Sequence, residues 1–416
     1  MKCLPTSKVS QAQGNVLHDW HAEVLAIRAF NRFVLDECRV LAQGCSSEFL
    51  RWRTTDEIVS SCCDDTQAGE LEREGSEWRG QPFTWREDVL LHMYCSEAPC
   101  GDASMELIMA AQEDATPWEL PLTNPPVPLS TTDPSTSLPG RAYFSQLGVV
   151  RRKPARSDAP PTLSKSCSDK LALRQCISLL SSTTALLVDP RHVYIHTLVL
   201  PESRYSESAC RRSFSSSPID GRMRSMASAE KQGPLKGERG SPYTFRPFTI
   251  KTTSCEFAFS QRTVTQATTS SAKQDVTINE QKKSAAQKVS ASNISAAWTR
   301  SGLEETTLGG ILQGRKQSAA DARGASFGSR RRIWGLAVEV ADLLLLWAGD
   351  DKETGKKAEP VNTSAIADIW RALTAETYGE MKDCALLEPR RRAKDKAREE
   401  ALKGWVRNLG DESFNL

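Results

Sequence analysis

The sequence has no Cys-x-x-Cys pair, no apolar stretch long enough to cross a bilayer, no internal repeat and almost no net charge. Each absence removes a class of protein. Without Cys-x-x-Cys, the twelve cysteines do not fit an ordinary zinc ribbon. The apolar run from Leu343 to Trp347 is far too short for a membrane span, and the opening Met1-Lys2-Cys3-Leu4-Pro5 has no apolar signal segment. An intracellular protein of the nucleus or cytoplasm is therefore expected, with no membrane partner. In that setting, cysteines scattered over 416 residues are free, catalytic or metal-bound rather than disulfide-paired. A formal net charge of +2 means that any nucleic-acid binding must come from a local basic surface. The length is enough for one large core or two ordinary ones.

Ordered and polar compositions alternate along the chain. Ile27, Phe30, Val34, Cys38 and Leu41 form one helical stripe in the stretch from Leu17 to Leu41. Val89 to Tyr94 reads as a short buried strand, with a helical pattern following over Ala103 to Gln112. A further helix is expected over Asp169 to Leu180, and strands over Ala185–Val188 and Val193–Leu200. Tyr243 to Ser260 alternates as hairpin strands do. A buried helix is expected over Ile333–Ala348 and a charged one over Arg390–Leu409. Segments near 62–81, 116–139, 213–242 and 265–292 are rich in polar and turn residues and read as mobile insertions. The mixed order of strands and helices predicts an α/β class, an α-β-α sandwich with surface insertions and a helical C-terminal part.

Three short segments carry the chemistry. His21-Ala-Glu23, Pro99-Cys100-Gly101-Asp102 and Ser166-Cys167-Ser168-Asp169-Lys170 each place a metal-ligand type just before a helix. Unpaired N–H groups at a helix start favour anions, which lowers a cysteine pKa, and zinc binds the thiolate. One histidine and two cysteines leave a fourth tetrahedral position open, as in catalytic rather than structural zinc. Glu23, two residues after His21, is the candidate general acid and base. His-x-Glu with Pro-Cys and a further cysteine is the signature of the zinc nucleobase deaminases. In cytidine deaminases the two cysteines lie a few residues apart, whereas Cys100 and Cys167 are widely separated.

That separation, and the residues around each ligand, resemble the adenosine deaminase/editase family, which includes the ADAR editing enzymes and the tRNA-specific adenosine deaminases. The resemblance rests on Leu17-His-Asp-Trp-His-Ala-Glu-Val24, Glu97-Ala-Pro-Cys-Gly-Asp-Ala-Ser104 and Ser166-Cys-Ser-Asp-Lys-Leu-Ala172. Leu198-Val-Leu-Pro-Glu-Ser203 and Arg323-Gly-Ala-Ser326 also fit. The wording around Lys153 and the lack of double-stranded RNA-binding domains place it nearest the fungal tRNA branch. The resemblance implies a single deaminase domain over residues 1–416 with a cytidine-deaminase-like fold. It also implies that the domain's usual first strand and helix are missing ahead of Lys2.

By the same resemblance the reaction is hydrolytic deamination of adenosine to inosine in tRNA, at position 37 of alanine tRNA. The cofactors it implies are zinc on His21, Cys100 and Cys167, and a buried inositol hexakisphosphate. Positions matching the latter are Arg28, Lys170, Lys316, Tyr378, Lys382 and Trp405, with Asp19 and Lys170 joining the two sites. Ile27 and Leu173 stand where relatives carry arginines, and Arg391 or Lys394 could substitute for other family cations. The basic run from Arg390 to Lys403 has two readings, an exposed charged face or a lining for phosphates. Two other functions compete: a catalytically impaired RNA-binding remnant, and cytidine deamination, which the cysteine spacing opposes. No protein partner can be inferred.

Overall fold

The computed structural model describes residues 2–62, 78, 80–111, 116, 138–139, 143–153, 160–231, 241–274, 292–315, 322–349 and 363–416. Eleven strands are present among them: β1 (Leu50–Trp52), β2 (Phe83–Trp85), β3 (Leu91–Tyr94), β4 (Leu138–Pro139), β5 (Arg151–Arg152) and β6 (Val188–Asp189), then β7 (Ile195–Pro201), β8 (Thr249–Thr253), β9 (Ile294–Trp298), β10 (Glu304–Leu308) and β11 (Ile311–Leu312). The α-helices are α1 (Ala22–Ala42), α2 (Thr55–Cys62), α3 (Met105–Ala110), α4 (Cys167–Ile177), α5 (Glu207–Phe214) and α6 (Arg224–Lys231), then α7 (Gln261–Gln274), α8 (Arg330–Gly349), α9 (Thr363–Leu373), α10 (Tyr378–Asp383) and α11 (Glu388–Glu400).

Strands β3, β7 and β8 pair in parallel. Strand β2 pairs in parallel with β6 and antiparallel with β1, while β9, β10 and β11 form an antiparallel meander. Parallel neighbours need crossovers, and helices fill them: α3 and α4 lie between β3 and β7 in sequence, α5 and α6 between β7 and β8. Helices α8 to α11 follow the last strand, so the chain is α/β with a helical C-terminal part, as its sequence predicts.

Helix α1 buries Leu25, Ile27, Val34, Leu35, Cys38 and Leu41, and packs on α8 and β1. That stripe, at helical spacing, holds the helix whose start carries His21. Helix α8 buries Ile333, Trp334, Leu336, Ala337, Val340, Ala341 and Leu344, so it sits deep between α1 and α9. The Trp334 indole N–H donates to the Leu373 carbonyl at 2.7 Å, which gives a buried polar group its partner. Helix α4 starts on Ser166, whose hydroxyl accepts from the Asp169 N–H, and packs against α5 and α11. No helix among the described residues is long and apolar enough to cross a membrane.

Several expectations are corrected. Tyr243 to Ser260 is no hairpin: it contains one strand, β8, which joins β7 in parallel. Its alternation reflects an edge strand half open to solvent. The segment expected to be mobile from 213 is helical over Arg224–Lys231, and buries Arg222 and Met223. Most of 265–274 is likewise the second half of α7. Helix α3 is preceded by a 3-10 turn, Asp102–Ser104, rather than starting at Ala103. The strand expected at Ala185–Val188 shrinks to β6 after a 3-10 turn, Thr184–Leu186. The final helix ends at Glu400, and Gly404, at φ 81°, then turns the chain so that Trp405 faces inward. The loop expected near 62–81 and the linker near 116–139 lie almost wholly outside the described residues.

Candidate active site

The three sequence-distant ligand candidates converge. His21 sits at the N-cap of α1 in an extended conformation, and its backbone N–H donates to Asp19 Oδ1 at 3.0 Å. Cys100 lies in the turn after β3, and Cys167 is the first residue of α4. Cys100 Sγ is 3.9 Å from His21 Nδ1, and the Cys167 N–H points to Cys100 Sγ at 3.3 Å. The ligand atoms of His21, Cys100 and Cys167 all lie within 4.8 Å of one another. This is a donor set that suits zinc: two sulfurs and one imidazole nitrogen, drawn from rigid element starts.

Ser168 ties the two cysteine loops together. Its hydroxyl contacts the carbonyls of Pro99 at 2.9 Å and Cys100 at 3.0 Å, and accepts the Ala103 N–H at 3.1 Å. Gly101 has φ 104°, and a Cβ there would overlap the side chain of Ser166, so only glycine fits between the loops.

A buried charge network lies behind the ligands. Lys153 Nζ is 2.9 Å from Asp19 Oδ2 and 3.4 Å from Cys167 Sγ. Asp19 Oδ2 also accepts from the Ser164 hydroxyl at 2.7 Å and from Lys170. Burial alone would raise the Asp19 carboxyl, but Lys153 and Lys170 overcome it and hold it well below the usual carboxylate range. Cys3, Asp19 and His21 also lie close enough to suggest a metal group. The Asp19 oxygens are already taken by four donors, so its carboxylate acts as an anchor and not as a ligand.

The cysteines behave as a pair. The hydrogen bond from Cys167, helped against burial by Lys153, depresses the Cys100 thiol, while burial and that same bond raise Cys167. Burial opposes the protonated His21 ring, yet its contacts with Cys100 and Cys3 push it up to about 10. A metal needs thiolates and neutral imidazole, so binding at this set displaces protons from His21 and Cys167. Glu23, half-buried in the first turn of α1, has its carboxyl raised by burial and by the charge of Cys100. A carboxyl shifted toward neutrality is suited to both taking and giving a proton.

Beside this network lies a cavity of about 490 Å³, and Asp19 and Lys170 line its near wall. Arg28, Tyr378, Lys382 and Trp405, all named from the sequence, line it too. Lys316 lies outside the described residues. The structure adds cations that the sequence reading did not single out: Lys165, Arg174 and Arg330. Helix α11 settles its two readings by face. Arg390, Lys394 and Arg398, four residues apart, line the cavity, while Arg392 is largely exposed. Arg391 reaches the cavity rim, tied to the carbonyls of Lys382 and Cys384.

These cations strain one another. Burial first, then neighbouring positive charge, lowers Arg28 to about 10, Arg174 to about 9 and Lys165 to about 7. Lys394 falls well below the ordinary lysine value for the same reasons. The Nε atoms of Arg28 and Arg398 have no hydrogen-bond partner among the described residues. Converging, under-satisfied cations around one cavity fit a polyanion.

Comparison with known proteins agrees with this geometry. The family model described as the adenosine-deaminase (editase) domain matches residues 1–409. The chain is 37% identical over 262 residues to the tRNA-specific adenosine deaminase 1 of Schizosaccharomyces pombe, an alignment covering 63% of this chain and 56% of that one. It is 31% identical over 209 residues to the Saccharomyces cerevisiae protein of the same name, covering 48% and 44%. A Drosophila melanogaster protein so named is 26% identical over 199 residues, covering 47% and 41%. The chain thus spans about half the length of the curated relatives it matches. With the match running through all three ligand segments and into the C-terminal helices, the chain belongs to the adenosine-deaminase (editase) domain family.

Proposed function

We propose that this chain is a zinc-dependent deaminase that converts adenosine to inosine in tRNA, at position 37 of alanine tRNA. The observation that carries the reading is the convergence of His21, Cys100 and Cys167 within 4.8 Å, with Glu23 in the first turn of α1. The names of the relatives support tRNA as the substrate. Zinc, when bound, supplies Lewis acidity that makes water a competent nucleophile near neutral pH. His21, Cys100 and Cys167 would hold it.

Glu23 does the proton work. It takes a proton from the water that adds to C6 of the adenine ring and delivers it to the ring nitrogen, then takes the proton of the new C6 hydroxyl and delivers it to the departing amino group. The C6–N bond breaks, ammonia leaves and inosine remains. A base in an anticodon loop is already unpaired, so turning it into the pocket costs less than extraction from a duplex.

The cavity would hold inositol hexakisphosphate, with Arg28, Lys170, Lys382, Tyr378 and Trp405 among its contacts. Lys170 and Lys153 meet on Asp19, whose carboxylate holds the His21 backbone, so the anion's influence would reach the metal ligands through one side chain. The test is inosine formation on alanine tRNA beside other tRNAs and cytidine-containing substrates. Inosine at position 37 of alanine tRNA alone is expected. Uridine from cytidine, or tRNA binding by the zinc-loaded chain without inosine, would overturn the reading.

A further inference from the structure

Each cysteine of the candidate metal set is followed two residues later by an aspartate: Cys100-Gly101-Asp102 and Cys167-Ser168-Asp169. Both aspartates are fully buried, and neither belongs to the ligand group. Asp102 accepts from the Gly148 N–H at 2.9 Å, from Arg212 Nε at 2.9 Å and from the Ser213 hydroxyl at 3.0 Å. Asp169 accepts from the Arg151 N–H at 3.0 Å, from the Ser166 hydroxyl at 2.6 Å and from an Arg222 guanidinium nitrogen at 2.7 Å.

The two arginines come from one short stretch. Arg212 stands in the last turn of α5, and Arg222 follows in the turn that leads to α6. They are fastened to each other: the Arg222 N–H donates to the Arg212 carbonyl at 3.1 Å, and Arg222 Nε donates to the Ser213 carbonyl at 2.8 Å. Arg212 also reaches the Asp102 carbonyl at 3.1 Å, so it holds the backbone of that loop as well as its side chain. One turn therefore delivers one guanidinium to each cysteine loop.

We propose that Arg212 and Arg222 are positioning residues for the metal. The turn from 212 to 222 fixes the spacing of the Cys100 and Cys167 loops through Asp102 and Asp169, so the two sulfurs are set before a metal arrives. Charge-assisted bonds from arginine to a buried carboxylate have the directionality to fix it in place. Partners behind first ligands commonly change metal affinity by 10–100-fold when removed. The inference rests on reading His21, Cys100 and Cys167 as zinc ligands.

The test uses the full chain as Arg212→Met, Arg222→Met and the two corresponding lysine variants. Arg53→Lys is the control, because it disturbs another buried pair, Arg53 Nε to Asp189 at 3.7 Å, which touches neither cysteine loop. Two quantities are read: the rate at which a chelator strips zinc, and the cobalt-thiolate absorption after Co(II) substitution. Zinc loss roughly 10–100-fold faster with a shifted cobalt spectrum is expected for both methionine variants, with partial recovery in the lysine variants. Arg53→Lys should lose zinc at the wild-type rate even where it lowers the melting temperature as much. If the methionine variants do not fold, the lysine variants carry the same comparison. Zinc loss in the arginine variants no faster than in Arg53→Lys at equal loss of stability would overturn the proposal. A wild-type chain that binds neither Co(II) nor zinc one-to-one would overturn the zinc reading itself, and the clamp with it.

Discussion

Raising the pH from 7 to about 9.5 should loosen the cavity's hold on an inositol polyanion while stabilising the protein without it. Lys165 is the group responsible. Burial, then the charges of Lys170 and Arg398, push it down to about 7 from the ordinary 10.5, against a smaller opposing pull from Asp169. A lysine whose folded value is depressed binds fewer protons in the fold than in the unfolded chain at every pH between those two values. Stability of the polyanion-free protein therefore rises with pH across that window, by roughly 3 kcal/mol from pH 7 to 9.5 for this one group. Lys394, lowered by burial and then by Arg398, Arg390 and Lys382, acts in the same direction. Arg174, lowered by burial and by Arg390 to about 9, adds to the same trend at the top of the window. A bound polyanion restores the lysine protons: Lys165 alone takes up about one proton per complex at pH 8.5 and lowers affinity by up to about tenfold per pH unit. Calorimetry with inositol hexakissulfate, whose sulfates do not titrate, in two buffers of different ionisation heat measures both quantities. Lys165→Met should flatten the response. Affinity that is level from pH 7 to 9.5 with no proton uptake would refute the reasoning.

Other consequences follow from the network behind the ligands. Asp19→Asn leaves the ammonium groups of Lys153 and Lys170 without their shared carboxylate and should cost about 3–5 kcal/mol, read as a fall in melting temperature together with weaker zinc retention. Gly101→Ala puts a side chain against Ser166 at a left-handed backbone position. It should cost about 1–3 kcal/mol and lower zinc stoichiometry; full zinc content at an unchanged melting temperature would show that the loop is looser than it looks. Thr377→Ala removes the capping box of α10, which carries Tyr378 and Lys382 to the cavity. A loss near 1 kcal/mol is expected in denaturant unfolding, with a weaker polyanion affinity.

The convergence of His21, Cys100 and Cys167 into one possible metal group is legible because each lies in local words, with its helix start and its Glu or Asp neighbours within a few residues. Helices α1 and α8 were legible for a related reason, since their buried stripes repeat at the helical period. What escaped was long-range pairing. Lys153 shows its role only when Asp19, 134 residues away, is folded beside it, and Arg212 only when Asp102, 110 residues away, is. The stretch around Arg222 read as mobile because its composition is polar, yet its charges are spent on buried aspartates. Helix α11 reads as a uniform basic run until its faces are separated at spacing four. Strand β8 pairs in parallel with β7 and not in a hairpin, a difference invisible in its sequence because alternation reveals exposure on one side but not the direction of the partner strand.

The most direct test of the account is the nucleoside composition of alanine tRNA after incubation with the purified chain and with Glu23→Gln, zinc content being measured on the same samples. The account predicts inosine from the wild type and full zinc in both proteins. The variant, which keeps the side chain's shape but not its proton chemistry, should be slower by about 10²–10⁴-fold. Inosine formed equally fast by Glu23→Gln, or none formed by the zinc-loaded wild type, would contradict it.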